Sequence, residues 1–247
     1  MGALTERVGD DYLVRIEGFD TLRIRKVDLA RDAETMQRWF NTDYARFWFL
    51  QNTSVEDIRR IYREKAESGK KDVRVGIRES TGELLFLFEV YCPVHFRIAE
   101  FYDAEPTDRG GHIFMAPPGE HKIENLTYFA YLASCLYIFS DPTVQRRIGA
   151  PDISHRKILS RYAQFGCNIV SVAYLDYHTV AITQLTRGDF EKITSSISTL
   201  KARRWTIGDE IFIRCHALAG RVITKLRSLT RRYLPALAPT PDDRPIF

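Results

Sequence analysis

The sequence predicts a mixed α/β fold, a sheet of parallel and antiparallel strands with helices on both faces. Three observations point there. Apolar and polar residues alternate at 12–18 and 19–27, the pattern of half-buried strands. Two helical segments then lead into a run of extended segments separated by short turns. Beyond these, strand, helix, strand and helix follow one another, an order that requires a parallel pair beside an antiparallel meander. With 247 residues the chain is long enough for a sizeable core.

Taken in order, residues 28–32 lead into a helix in which Met36, Trp39 and Phe40 fall at helical spacing. Ser54 opens a second helix: Asp57 stands in capping-box position, and Ile58, Ile61 and Tyr62 share one face. Residues 73–79, 84–92 and 95–102 read as a three-strand meander, divided at Thr81-Gly82 and at Pro93. A fourth strand, 112–116, is closed by Pro117-Pro118, and an apolar helix follows over about 123–140 until Asp141-Pro142. Residues 146–151 form a short strand and 154–166 a helix, with Gly166 just past its C-cap. Segments 168–176 and 179–187 make a final antiparallel pair, before a short helix at Gly188-Asp189. The order is ββ-αα-βββ-β-α-β-α-ββ.

Hydrophobic residues make up 45% and charged residues 28%, which excludes a disordered or fibrous class. The apolar stretch 126–139 has 14 residues, too short to cross a bilayer. The start, MGALTERVGDDY, lacks the basic head and apolar centre of a secretion signal. Four widely spaced cysteines with no CxxC pair argue against zinc and against a disulfide framework, and for a reducing compartment. A cytoplasmic protein without a metal is expected. The net charge of +4 is uneven, with ten basic and four acidic residues from Lys201 onward and a net −2 before it. Basicity belongs to the tail, so nucleic-acid binding by the whole protein is not expected.

One stretch stands apart. In YDAEPTDRGGHIFMAPP (102–118) a single histidine enters an apolar strand after a double glycine. Alternation puts His112 on the same face as Phe114 and Ala116, opposite Ile113 and Met115. Acyl transfer to nitrogen needs a neutral nucleophile, and an imidazole can take an alkylammonium proton near neutral pH. A hydroxylamine is already neutral there and loses its proton during attack. Taken alone, His112 reads as well, or better, as a hydrogen-bonded strand histidine.

The element order resembles the GCN5-related N-acetyltransferase (GNAT) fold with one extra strand at the start. RWFNTDYARFW (38–48), YDAEPTDRGGHIFMAPP, IGAPDISHRKI (148–158) and YHTVAITQLTRGDF (177–190) resemble, in order, four motifs of that family's siderophore-biosynthesis acyltransferase branch. The likeness covers about residues 19–190. It implies an enzyme that uses an acyl-CoA, acetyl-CoA or succinyl-CoA, to acylate an amine or hydroxylamine of a lysine, ornithine or diamine, by direct transfer in a ternary complex.

The resemblance also implies roles for residues. His112 becomes the base, and Asp152 orients the imidazole or holds the acceptor's positive end; its bland alternative is a cap for the following helix. Tyr162 matches the family tyrosine able to protonate the leaving thiolate, and reads otherwise as a packing aromatic. His155 stands where the family often has asparagine facing the coenzyme. Phe114, Met115, Ala116 and Asn125 are assigned to the coenzyme as well. GEHKIENLT (119–127) stands where a phosphate loop precedes the long helix, with one glycine and no GxG; His121 and Lys122 there are phosphate contacts or solvated loop charges. Trp39, Phe47, Trp48 and Phe49 wall an acceptor pocket or belong to the core, and Asn41 and Arg46 supply polar contacts.

Residues 1–195 are thus expected to form the acyltransferase domain, and 196–247 a basic helical extension with a proline-rich end. In the tail, Leu218, Val222, Leu226 and Leu229 lie near helical spacing among arginines and lysines. Docking on its own domain, or on a sister subunit in a homodimer, is favoured over contact with a membrane. Two further functions stay open: acetylation of another amine, such as an aminoglycoside or a protein terminus, and a non-catalytic scaffold that retains the fold.

Overall fold

The computed structural model describes residues 3–119, 123–175, 178–195 and 206–233. They fall into two compact units, one of residues 1–91 and 111–144 and the other of 92–110 and 145–247.

In the first unit, β1 (Ala3–Val8), β2 (Asp11–Ile16), β3 (Thr21–Lys26), β4 (Lys71–Arg78) and β5 (Leu84–Tyr91) pair in that order, each antiparallel to the next. The greater part of β6 (Asp108–Met115) belongs here, followed by an Ala116 N–H bond to the Leu85 carbonyl at 2.8 Å. Three strands, not the expected two, precede the first helix. β1 escapes sequence reading because nearly all of it is exposed, so it carries no apolar alternation.

α1 (Leu29–Phe40) starts at Asp28, whose carboxylate accepts from the Ala30 N–H, and α2 (Val55–Glu67) starts at the predicted capping box of Ser54 and Asp57. Both helices pack on the sheet face carrying Val73, Val75, Ile77, Leu87 and Phe114. α3 (Leu126–Phe139) lies against β2, β3 and β5, with Phe88 and Arg74 meeting Tyr137. Strand alternation therefore sends Glu89 and Tyr91 of β5 to the α1/α2 side and Phe86 and Phe88 to the α3 side. On the latter, a Cβ at Gly76 would come within 2.0 Å of the Phe86 ring, so the glycine there gives the ring its space.

The second unit pairs β7 (Arg146–Gly149) parallel to Asp108–Gly110 of β6, then β9 (His178–Thr186) and β8 (Asn168–Leu175), in the order β6-β7-β9-β8. The parallel pair is the one the element order required. α4 (Arg156–Gln164) ends at Gly166, which takes the left-handed φ of 73° suited to its place. α5 (Arg187–Ser195) and α6 (Ile207–Tyr233) follow, and α6 packs against β8. The docked face of α6 holds Ile213 and Ala217; Leu218 and Val222, the apolar stripe of the tail, are exposed. Leu226, Leu229 and the proline-rich end lie outside the described side chains.

The expected strand 95–102 is not one. Pro93–His95 and Arg97–Phe101 form two 3₁₀ turns instead. Their alternating apolar residues, such as Phe96 and Ile98, are buried from turn geometry, which places side chains inward as effectively as a strand does over so few residues.

Candidate active site

His112 sits on β6 with its side chain 20% exposed. Its Nδ1 faces Oε2 of Glu89 at 3.8 Å, and its Nε2 lies 3.3 Å from the Tyr91 hydroxyl. Glu89 is 1% exposed and accepts from two ammonium groups: Lys65 of α2 at 2.6 Å and Lys71 of β4 at 2.8 Å. Lys65 also lies over the Tyr62 ring, and the Tyr62 hydroxyl accepts from the Trp48 indole N–H at 3.1 Å. Trp48 stands edge-on to His112 and to Phe114. One helix, two strands and a loop thus converge on a single imidazole.

The electrostatics follow from this burial. Desolvation alone would raise Glu89; Lys65, contact with His112, and Lys71 overcome it and hold the carboxyl well below its usual 4.5. His112 is lowered from 6.5, by desolvation first and by the two lysines, against the opposing pull of Glu89. Lys71 is lowered by its own burial and by Lys65. At neutral pH the imidazole is therefore uncharged and able to accept a proton.

Trp39 and Phe114 are buried in the aromatic cluster with Phe40, so the wall of the site is continuous with the core. Tyr44 stands edge-on to Phe114 and is half exposed. Phe49 is 52% exposed and holds a left-handed φ of 56°, costly for a bulky residue and a frequent mark of functional loops. Arg46 stacks over Phe47. Asn41 caps α1, and its amide donates to the carbonyls of Gln37 and Thr53, so it closes the 41–53 loop. Phe114 and Met115 are buried and the Ala116 N–H is taken, which leaves other backbone atoms as what the strand end can offer a coenzyme.

α3 begins differently from a capped helix. Asn125 takes φ 55° at the N-cap and its side chain caps nothing; the first intrahelical bond runs from Phe129 to the Asn125 carbonyl. The N–H groups at positions 126–128 therefore point out of the helix start, an arrangement that fits a phosphate. His121 and Lys122 lie outside the described residues.

In the second unit, Asp152 accepts from the Ser154 N–H at 2.8 Å and from its hydroxyl at 2.5 Å, and the Asp152 carbonyl accepts from His155. Its negative charge also reaches His178, which burial pushes below 6.5. His155, not Asp152 or Ser154, occupies the N-cap of α4, and no side-chain bond caps that helix. Tyr162 is buried, its ring against Gly149 and beneath the Arg147 guanidinium. Among the described residues no cluster of His, Cys, Asp and Glu could hold a metal ion.

Sequence reading missed Glu89, Lys65, Lys71 and Tyr91. Glu89 had a signal: one acid inside the apolar run LLFLFEVYC, where a buried charge requires partners.

A family model described as an acetyltransferase (GNAT) domain matches residues 28–174. No curated protein matches the sequence. Among solved structures, an uncharacterized protein from Bacillus halodurans superposes with a TM-score of 0.66 at 20% identity, over 79% of this chain and 95% of that one. The aminoglycoside acetyltransferase AAC(6')-Ib in complex with coenzyme A gives 0.60 at 17%, over 69% and 98%. A chimera of the spermidine N-acetyltransferase SpeG from Vibrio cholerae with hSSAT gives 0.55 at 14%, over 69% and 98%.

Proposed function

The chain belongs to the GNAT acetyltransferase family, and from that premise we propose that it acylates an amine or hydroxylamine of a lysine-, ornithine- or diamine-derived acceptor in siderophore biosynthesis. The observation that carries the reading is His112: an uncharged imidazole, partly open to solvent, backed by a buried carboxylate and walled by Trp48. The acyl-CoA donor, acetyl-CoA or succinyl-CoA, supplies the activated thioester. The N–H groups at the start of α3 hold its pyrophosphate, aided by His121 and Lys122, and the resemblance assigns His155 to the coenzyme as well.

His112 takes the proton that the acceptor nitrogen loses on attack, at Nε2, while Nδ1–H stays directed at Glu89. The resulting imidazolium is balanced by that carboxylate. A base held below 6.5 is matched best to an acceptor already neutral near pH 7, so a hydroxylamine asks less of it than an alkylammonium does. Trp48 and Tyr44 supply an aromatic wall for the acceptor's aliphatic chain, with Arg46 at its polar end. The resemblance assigns Asp152 to the acceptor's positive end and Tyr162 to the proton that the leaving thiolate gains. The setting is the cytoplasm; no helix among the described residues is long and apolar enough to cross a membrane.

A second reading, transfer to an aminoglycoside or polyamine, is favoured by the amine-acetylating proteins that share the fold. Thiol release with acetyl-CoA and succinyl-CoA, measured against hydroxylysine, hydroxyornithine, diamine and aminoglycoside acceptors, separates the two. Turnover restricted to the hydroxylamines supports the lead reading. Turnover restricted to aminoglycosides replaces it, and failure to bind any CoA by calorimetry removes both.

A further inference from the structure

Five charged or titratable groups besides the imidazole meet on the α1/α2 face: Lys65 and Tyr62 from α2, Lys71 from β4, and Glu89 and Tyr91 from β5. A buried carboxylate with one lysine would be a neutral pair. Here a second lysine is bound to the same carboxylate, and the Oε2 that Lys71 contacts is also the oxygen His112 faces. Two elements deliver two ammonium groups to the one carboxylate that faces the ring, an expensive arrangement for mere packing.

We infer that Glu89, held between Lys65 and Lys71, is a positioning residue that fixes His112 as its Nδ1–H tautomer and so keeps Nε2 as the basic atom. A carboxylate cannot donate, so the charge of Glu89 3.8 Å from Nδ1 favours a hydrogen on that nitrogen, and Nε2 then accepts from the Tyr91 hydroxyl at 3.3 Å. The lysines keep Glu89 ionised. Lys71 also sets a limit in the other direction, because its positive charge opposes protonation of the ring. The two partners of the imidazole therefore act with opposite sign: Glu89 favours the imidazolium, and Lys71 disfavours it.

This inference rests on His112 being the base, and its test is separable from that reading. In ¹⁵N-labelled full-length protein, imidazole correlation spectra, assigned with His112→Gln, report the tautomer directly. Wild-type His112 is expected as Nδ1–H, and Glu89→Gln should populate the Nε2–H form. The same substitution should lower kcat by about 10²- to 10⁴-fold, the upper end being the loss seen when a base histidine is left in the wrong tautomer, with KM for acceptor little changed. It should also move the acid limb of the pH–rate profile to lower pH, whereas Lys71→Met should move it to higher pH. A structural role alone would not produce opposite shifts. If Glu89→Gln does not fold, the charge-compensated Lys71→Met/Glu89→Gln protein takes its place in the tautomer measurement. A wild-type Nε2–H tautomer, or an acid limb that neither variant moves, overturns the inference. Full turnover by His112→Gln removes the base assignment, while the tautomer spectra still decide what Glu89 does.

Discussion

Asp108, at the start of β6, is fully enclosed and accepts from Arg146 through both oxygens, from the Tyr102 hydroxyl and from the Glu105 N–H. Glu89, on β5, is as deeply buried, but its neighbours are two ammonium groups and an imidazole. Asp108 is surrounded by donors that stay as they are across the working pH range, and it ties the paired starts of β6 and β7 together. Around Glu89, two partners titrate with depressed values, so the charge of each depends on the others. Burial alone does not separate a fastening from a working group; the chemistry of the surrounding partners does.

That contrast can be broken in several ways. Replacing His112 by Ala should lower kcat by about 10²–10⁴-fold, the usual contribution of a general base, with thermal stability nearly unchanged. A variant within a few-fold of wild type would end the comparison on the Glu89 side. Asp108→Ala should behave conversely. It takes their acceptor from the Tyr102 hydroxyl and the Glu105 N–H, leaves Arg146 with Glu105 and the Asp103 carbonyl, and should cost about 3 kcal/mol in urea denaturation, while the acid limb of activity in the folded fraction stays in place. A loss under about 1 kcal/mol would mean that Asp108 is no fastening.

The pH profile sharpens the comparison with a smaller effect. Because folding lowers His112 below 6.5, kcat/KM should fall on acidification with an apparent pKa under that value. The unfolded chain binds that proton more readily, so stability should also decline as pH drops from 6.5 toward the folded value, and His112→Ala should flatten that slope. Denaturation curves at several pH values show whether it does. A surface carboxylate sets the lower bound: Asp57 serves the capping box and pairs with Arg60 on the helix surface, and Ser54→Ala should cost about 1 kcal/mol by chemical denaturation with no change in activity.

Much of the fold was legible because local chemistry announces it. Ser54 with Asp57 marks a helix start, Gly166 a helix end, and the strand–helix–strand order requires the parallel contact seen between β6 and β7. β1 was not legible, since an exposed edge strand has no apolar face to display. Residues 95–102 misled because two short turns bury alternate residues as a strand would. At the site, His112 stood out as a lone ionisable group in an apolar strand. Glu89 carried the same mark, but Lys65 and Lys71 look like any lysines near a helix end and a strand start, and only the tertiary fold brings them together. Asn41 reads as a polar contact in sequence; its amide closes a loop because Gln37 and Thr53 present carbonyls that only the folded turn supplies.

Gly149 carries a consequence of another kind. A Cβ there would lie 2.6 Å from the Tyr162 ring and 2.7 Å from the Thr183 hydroxyl. The two positions are therefore bound in descent: while an aromatic ring stands at 162, any side chain gained at 149 displaces it. A lineage could lose the phenol's placement with Tyr162 itself untouched, and recover it only by change at a second residue. Among relatives, positions 149 and 162 should vary together, an epistatic pair recorded in sequence history.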